Sequence, residues 1–94
     1  MSSSPWVVDV GEAEFGQALD ASYERPVVVD FWAPWCQPCR ALGPVLERLV
    51  EQRQGRVLLV KVNVDEAQNL ARHFRIESIP AVKAIRQGQV VLEF

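Results

Sequence analysis

The chain has 94 residues, room for one domain and too little for two, with 49% hydrophobic and 23% charged residues, the balance of a globular protein. A formal net charge of −2 offers no broad cationic surface, the electrostatic requirement for nucleic acid or anionic membrane, so neither is expected as a partner. No apolar run approaches the roughly 20 residues of a membrane-spanning helix, and the start lacks the basic residues and long apolar core of a secretory signal, so the expected location is cytoplasmic.

The polar residues 1–5 read as loose, and Trp6 to Val10 as a short strand. From 12 to 23, Phe15, Ala18, Leu19 and Tyr23 recur at helical spacing. Pro26 then opens Val27-Val28-Val29-Asp30-Phe31-Trp32-Ala33, a continuous apolar run broken by one carboxylate. Such a run marks a strand covered on both faces. Beyond Pro34, Leu42, Val45, Leu46, Leu49 and Val50 trace one face of an amphipathic helix reaching about Gln54 and stopped by Gly55, with Pro44 inside it. Residues 57–64 are a second buried strand, and strand–helix–strand predicts a parallel pair. A short helix follows with Ala67, Leu70, Ala71 and Phe74 inward, then Ser78-Ile79-Pro80, a strand at Ala81–Arg86, a turn at Gln87-Gly88 and a closing strand over 89–94.

Cys36 and Cys39 are the only cysteines, and the two residues between them let the sulfurs meet within one helical turn. Cys36 falls where the buried strand hands over to the helix. The first amides of a helix have no internal partner and carry partial positive charge. A thiolate there is stabilised, and the thiolate is the nucleophile of disulfide exchange. Cys39, one turn further in, is expected to be more shielded and placed to resolve a mixed disulfide. The alternatives are a structural disulfide or half of a metal site. A loop this small contributes only about 2 kcal/mol, a weak reason to keep it in a reducing compartment. Zinc or an iron–sulfur cluster wants four ligands, whereas the chain has two cysteines and one histidine. No metal or bound cofactor is expected.

The segment Asp30-Phe31-Trp32-Ala33-Pro34-Trp35-Cys36-Gln37-Pro38-Cys39-Arg40 resembles the active-site segment of the thioredoxin family. The likeness extends to Pro44, to Lys61-Val62-Asn63-Val64-Asp65 and to Ser78-Ile79-Pro80, and so covers nearly the whole chain. It implies a single α/β domain over 1–94 with the thioredoxin fold: a mixed sheet of about five strands flanked by helices. It departs from the family at Gln37, where thioredoxins carry glycine, and at Ala81, where many carry threonine.

A carboxylate buried mid-strand at Asp30 pays a desolvation cost that raises its proton affinity. The resemblance makes it the group that takes the proton from Cys39, through water, with Lys61 beside it; a solvent-facing aspartate and a surface lysine are the plain alternatives. The resemblance also makes Pro80 a cis-proline facing the cysteines, with the backbone of Ile79 open to an extended substrate, although X–Pro bonds are cis in only about 5–6% of cases. Trp35, Gln37 and Pro38 complete the implied substrate contacts. Trp32 reads as core and His73 as solvated or packed.

The function implied is a protein-disulfide reductase acting through Cys36 and Cys39 on protein disulfide substrates and recharged by a thioredoxin-reductase-like electron donor. A second reading rests on the segments 41–46 and 79–85, which resemble thioredoxins fused to tetratricopeptide-like repeats, the chaperedoxins. It makes the domain a client-binding module of a chaperone, with chaperone clients as partners. The family follows the closing hairpin with a final helix, which has no counterpart before Phe94. One sheet face is therefore expected to show an apolar patch, covered by further chain or by self-association.

Overall fold

The structure is a computed structural model describing residues 4–94; the reading of residues 1–5 as loose falls mostly outside them. Five strands alternate with three helices in the order β1 (Val7–Asp9), α1 (Phe15–Ala21), β2 (Val27–Trp32), α2 (Gln37–Glu51), β3 (Leu58–Asn63), α3 (Gln68–His73), β4 (Ala81–Arg86) and β5 (Gln89–Glu93). The sheet order is β1-β3-β2-β4-β5. β3 runs parallel to both β1 and β2, whereas β4 is antiparallel to β2 and β5 to β4. The expected parallel pair and closing hairpin are both present.

The apolar run of β2 lies at the centre of this sheet and is covered on both faces. Val27, Val29 and Phe31 join Val60, Val62 and Ile85 beneath α1 and α3, with Phe15 and Ala18 from α1 and Leu70 and Phe74 packed against them. Val28 turns the other way, toward Leu59, Leu46 and Val50 under α2. Since side chains alternate along a strand, Asp30 and Trp32 share the α2 face with Val28. The run is continuous because each face needs its own apolar set.

Two helices differ from expectation. α1 spans seven residues rather than the expected 12–23. Upstream, the Glu12 carboxylate accepts the backbone N–H groups of Asn69 and Leu70 and so caps α3, a helix without an N-cap side chain of its own. Downstream, Tyr23 lies beyond α1 and is exposed. In α2 the buried face is Cys39, Gly43 and Val50; Leu42 and Leu46 are half-buried, while Val45 and Leu49 face solvent. Gly43 faces Lys61 of β3, where a Cβ would make ordinary contact with Nζ at 3.6 Å. Gly55 ends the connection with φ +90°, and a Cβ would fall 2.8 Å from Nε1 of Trp6, so only glycine fits.

Ser22, wholly buried, ties α1 to the β4–β5 hairpin. Its Oγ donates to the Leu19 carbonyl and accepts the Gly88 N–H at 2.8 Å. Its carbonyl accepts from the Gln87 N–H at 2.9 Å and from the Arg86 guanidinium at 2.7 Å. Ser22→Ala removes the side-chain half of this knot. It is expected to cost about 1–2 kcal/mol and to lower the midpoint of thermal unfolding by roughly 5–10 °C, read by circular dichroism on the oxidised chain. Lys83, buried in β4, pairs with Glu93 directly across on β5. The rest of that edge is open: Val90, Val91, Leu92 and Phe94 are all exposed.

Candidate active site

Cys36 is the N-cap of α2, in extended backbone conformation, and its Sγ accepts the backbone N–H of Cys39 at 3.2 Å. Pro38 occupies the first turn, where a missing N–H costs the helix nothing. The two cysteines form a disulfide, with Cα atoms 5.3 Å apart. They cluster with Ala33, with Trp32, Val64 and Ile79 packed against them. The expected contrast in shielding is absent: Cys36 is 4% exposed and Cys39 3%. With the disulfide closed both cysteines lie in one apolar cluster, and in this oxidised state exposure does not distinguish them. What separates them is the N-cap hydrogen bond, which Cys36 alone accepts.

Around this buried pair the exposed contacts are Trp35, Gln37 and Pro38. Trp35 is 69% exposed, and its indole is oriented by a hydrogen bond from Nε1 to Oδ2 of Asp65 at 3.0 Å, a partner that sequence reasoning did not assign. Ile79 and Pro80 are half-buried, and the bond between them is cis, against the base rate for X–Pro bonds. A shallow groove of about 220 Å³ runs from Trp35 past Val64, Ala71 and Ile76 to Ile79. A larger depression of about 560 Å³, bounded by Phe15, Leu19, Phe74 and Val90, borders none of these residues. His73 is exposed and packs edge-on against Phe74.

Asp30 is buried, 1% exposed, and neither carboxylate oxygen has a hydrogen-bond partner among the described residues. Burial is the main cause that lifts its pKa from 3.8 to about 6; Lys61 works against the rise and Glu47 adds to it. Lys61 is the register partner of Asp30 across β2 and β3. Its ammonium nevertheless bonds Glu47 Oε2 at 2.9 Å and sits 5.3 Å from the centroid of the Trp32 ring. The surface-pointing alternative for Lys61 therefore gives way to a half-buried lysine held between an indole and a carboxylate. Glu47 escaped sequence reasoning. The signal was available: Cys39, Gly43 and Glu47 are spaced i, i+4 and i+8, on one helix face. No group of three or more His, Cys, Asp or Glu able to hold a metal occurs among the described residues, and none of their helices is long and apolar enough to cross a membrane.

A two-cysteine disulfide closed across the first turn of a helix, at the end of a central strand, defines a thiol–disulfide exchange site. The thioredoxin family model matches residues 6–94. A thioredoxin of Synechocystis is 45% identical over 91 residues, covering 97% of this chain and 81% of its own. A Haemophilus influenzae thioredoxin is 40% identical over 85 residues, 90% and 78%. A probable thioredoxin-2 of Caenorhabditis elegans is 52% identical over 69 residues, 73% and 48%. The chain belongs to the thioredoxin family, has the thioredoxin fold, and is a thiol–disulfide oxidoreductase that reduces protein disulfides through Cys36 and Cys39.

Proposed function

We propose that Cys36 is the attacking thiolate, Cys39 the resolving thiol and Asp30 the acceptor of the Cys39 proton. The observation that carries the assignment is the Cys39 N–H donated to Cys36 Sγ at the start of α2, which places the helix's free amides on one sulfur only. The Cys36 thiolate attacks a substrate disulfide. One substrate sulfur leaves as a thiolate, and a mixed disulfide forms. Cys39 gives its proton to Asp30 and attacks Cys36 Sγ, which breaks the mixed disulfide and releases the second substrate sulfur as a thiolate. Two electrons pass to the substrate, and a reductase, the electron donor the family implies, restores the dithiol.

Trp35, Gln37, Pro38, Ile79 and Pro80 are the substrate contacts in this reading; Lys61 acts through Asp30. The exposure of Trp35 and the apolar groove ending at Ile79 support it, since an extended segment would lie there over the buried disulfide. The chain is taken as a single domain over 1–94, and the exposed Val91, Leu92 and Phe94 support self-association through the open β5 side. Insulin reduction with dithiothreitol as electron source tests the reductase reading. The expected result is precipitation of the insulin B chain, lost on replacing Cys36. No reduction, together with suppressed client aggregation by the double cysteine variant, would transfer the function to holding chaperone clients.

A further inference from the structure

The carboxylate on which the resolving step depends has a lysine as its strand neighbour and yet makes no ion pair with it. Asp30 and Lys61 are opposite one another in register, and both Asp30 oxygens are buried without a partner among the described residues. The ammonium is instead committed elsewhere, to Glu47 Oε2 at 2.9 Å and to the face of Trp32. α2 packs directly on this ammonium: a Cβ on Gly43, one turn before Glu47, would make ordinary contact with Nζ at 3.6 Å. Glu47 itself projects from the face that carries the buried Cys39 and Val50.

We propose that Glu47 is a positioning residue for disulfide exchange: by holding the Lys61 ammonium it keeps that charge from pairing with Asp30 and preserves Asp30 as a proton acceptor. An acid paired directly with a lysine would hold its proton too weakly to draw one from a thiol. The inference rests on the reading of Asp30 as acceptor for the Cys39 proton. It also gives α2 a second role, since the helix that carries both cysteines carries the group that tunes their base. The charges facing this cluster are few. Lys61 comes from β3 and Glu47 from α2, while β4 presents the apolar Val82 opposite Asp30. Asp9, Glu14 and Glu66 lie with Lys61 around a polar cavity of about 570 Å³, exposed to solvent and screened accordingly.

The test is the titration of the Asp30 carboxyl carbon by NMR in the oxidised full chain, where no thiol titrates. Glu47→Gln, close in shape to the native side chain, is expected to lower the midpoint by about one pH unit, because the released ammonium swings toward Asp30. The acid limb of the resolving step, followed in single-turnover kinetics, should move down with it, and the plateau rate should fall about threefold. Removing Glu47's charge would also lower the midpoint through space, so the same substitution is made in a Lys61→Met background. If Glu47 acts through Lys61, the shift there shrinks to about 0.3 unit or less. An unchanged midpoint in Glu47→Gln, or an equal shift with and without Lys61, overturns the proposal. A midpoint that moves as expected while the kinetic profile stays fixed supports the Glu47–Lys61 coupling and rejects Asp30 as the proton acceptor. The two ideas therefore fail separately.

Discussion

Cys36→Ser is expected to reduce disulfide exchange to the uncatalysed background, whereas Cys39→Ser leaves the first step intact and accumulates substrate as a mixed disulfide through Cys36. The asymmetry the structure shows is one of charge. Both residues are almost fully buried in the oxidised chain, but only Cys36 Sγ accepts a backbone amide, that of Cys39. A thiolate formed at that place inherits the donor and the positive end of α2. Hydrogen bonds to charged groups contribute about 1.5–3 kcal/mol, and helix ends roughly 0.3–1 kcal/mol more. Both favour the anion, and neither acts equally on Cys39 one turn inside. Non-reducing electrophoresis of Cys39→Ser with a disulfide substrate should show an adduct that dithiothreitol removes and Cys36→Ser does not form. Iodoacetamide at neutral pH should label Cys36 first in the reduced chain. Preferential labelling of Cys39 would exchange the two roles.

Asp30→Asn is expected to stabilise the fold at alkaline pH and leave it almost unchanged at acid pH, while slowing the resolving step. The folded pKa of about 6 lies above the ordinary 3.8 because burial disfavours the anion more than Lys61 favours it. Between these values the folded chain holds a proton that the unfolded chain has released, so stability falls as pH rises. The contribution of Asp30 is whole below about 3.8 and gone once the pH has passed about 6. At pH 8 the wild type carries a buried carboxylate with no hydrogen bond among the described residues, a penalty of about 3 kcal/mol. Asparagine does not ionise, so whatever its unpaired amide costs is the same at every pH. The difference in melting temperature between variant and wild type should therefore be close to zero near pH 3, below both values, and on the order of 10 °C at pH 8. Loss of the proton acceptor should slow the resolving step by up to about 10²-fold. A constant difference in melting temperature across that range, with full activity, would place Asp30 outside proton transfer.

The order of elements, the two-sided burial of β2 and the place of the cysteine pair at a strand–helix junction were all legible in the residues. Each is encoded locally. A continuous apolar run has one use in a small α/β chain, and two cysteines three residues apart share a helical turn wherever the helix packs. Asp30 was legible for the same reason, as a carboxylate inside that run. The cis bond before Pro80 was reached only through the family resemblance, because local preference favours trans. Other features depended on which faces meet. The stripe of Leu42, Val45, Leu46, Leu49 and Val50 marked α2 as amphipathic, but the packed helix buries Cys39, Gly43 and Val50 and leaves Val45 and Leu49 in solvent. α1 is shorter than its periodicity suggested, and Glu12, at its expected start, caps α3, some 57 residues away. Lys61 alone gave no sign of whether its charge would go to Asp30, to solvent or to Glu47, and the packing of α2 on β3 decided it. Periodicity and spacing report interactions within a turn or along a strand; an ion pair between elements exists only after the sheet and the helix have been brought together by their apolar faces.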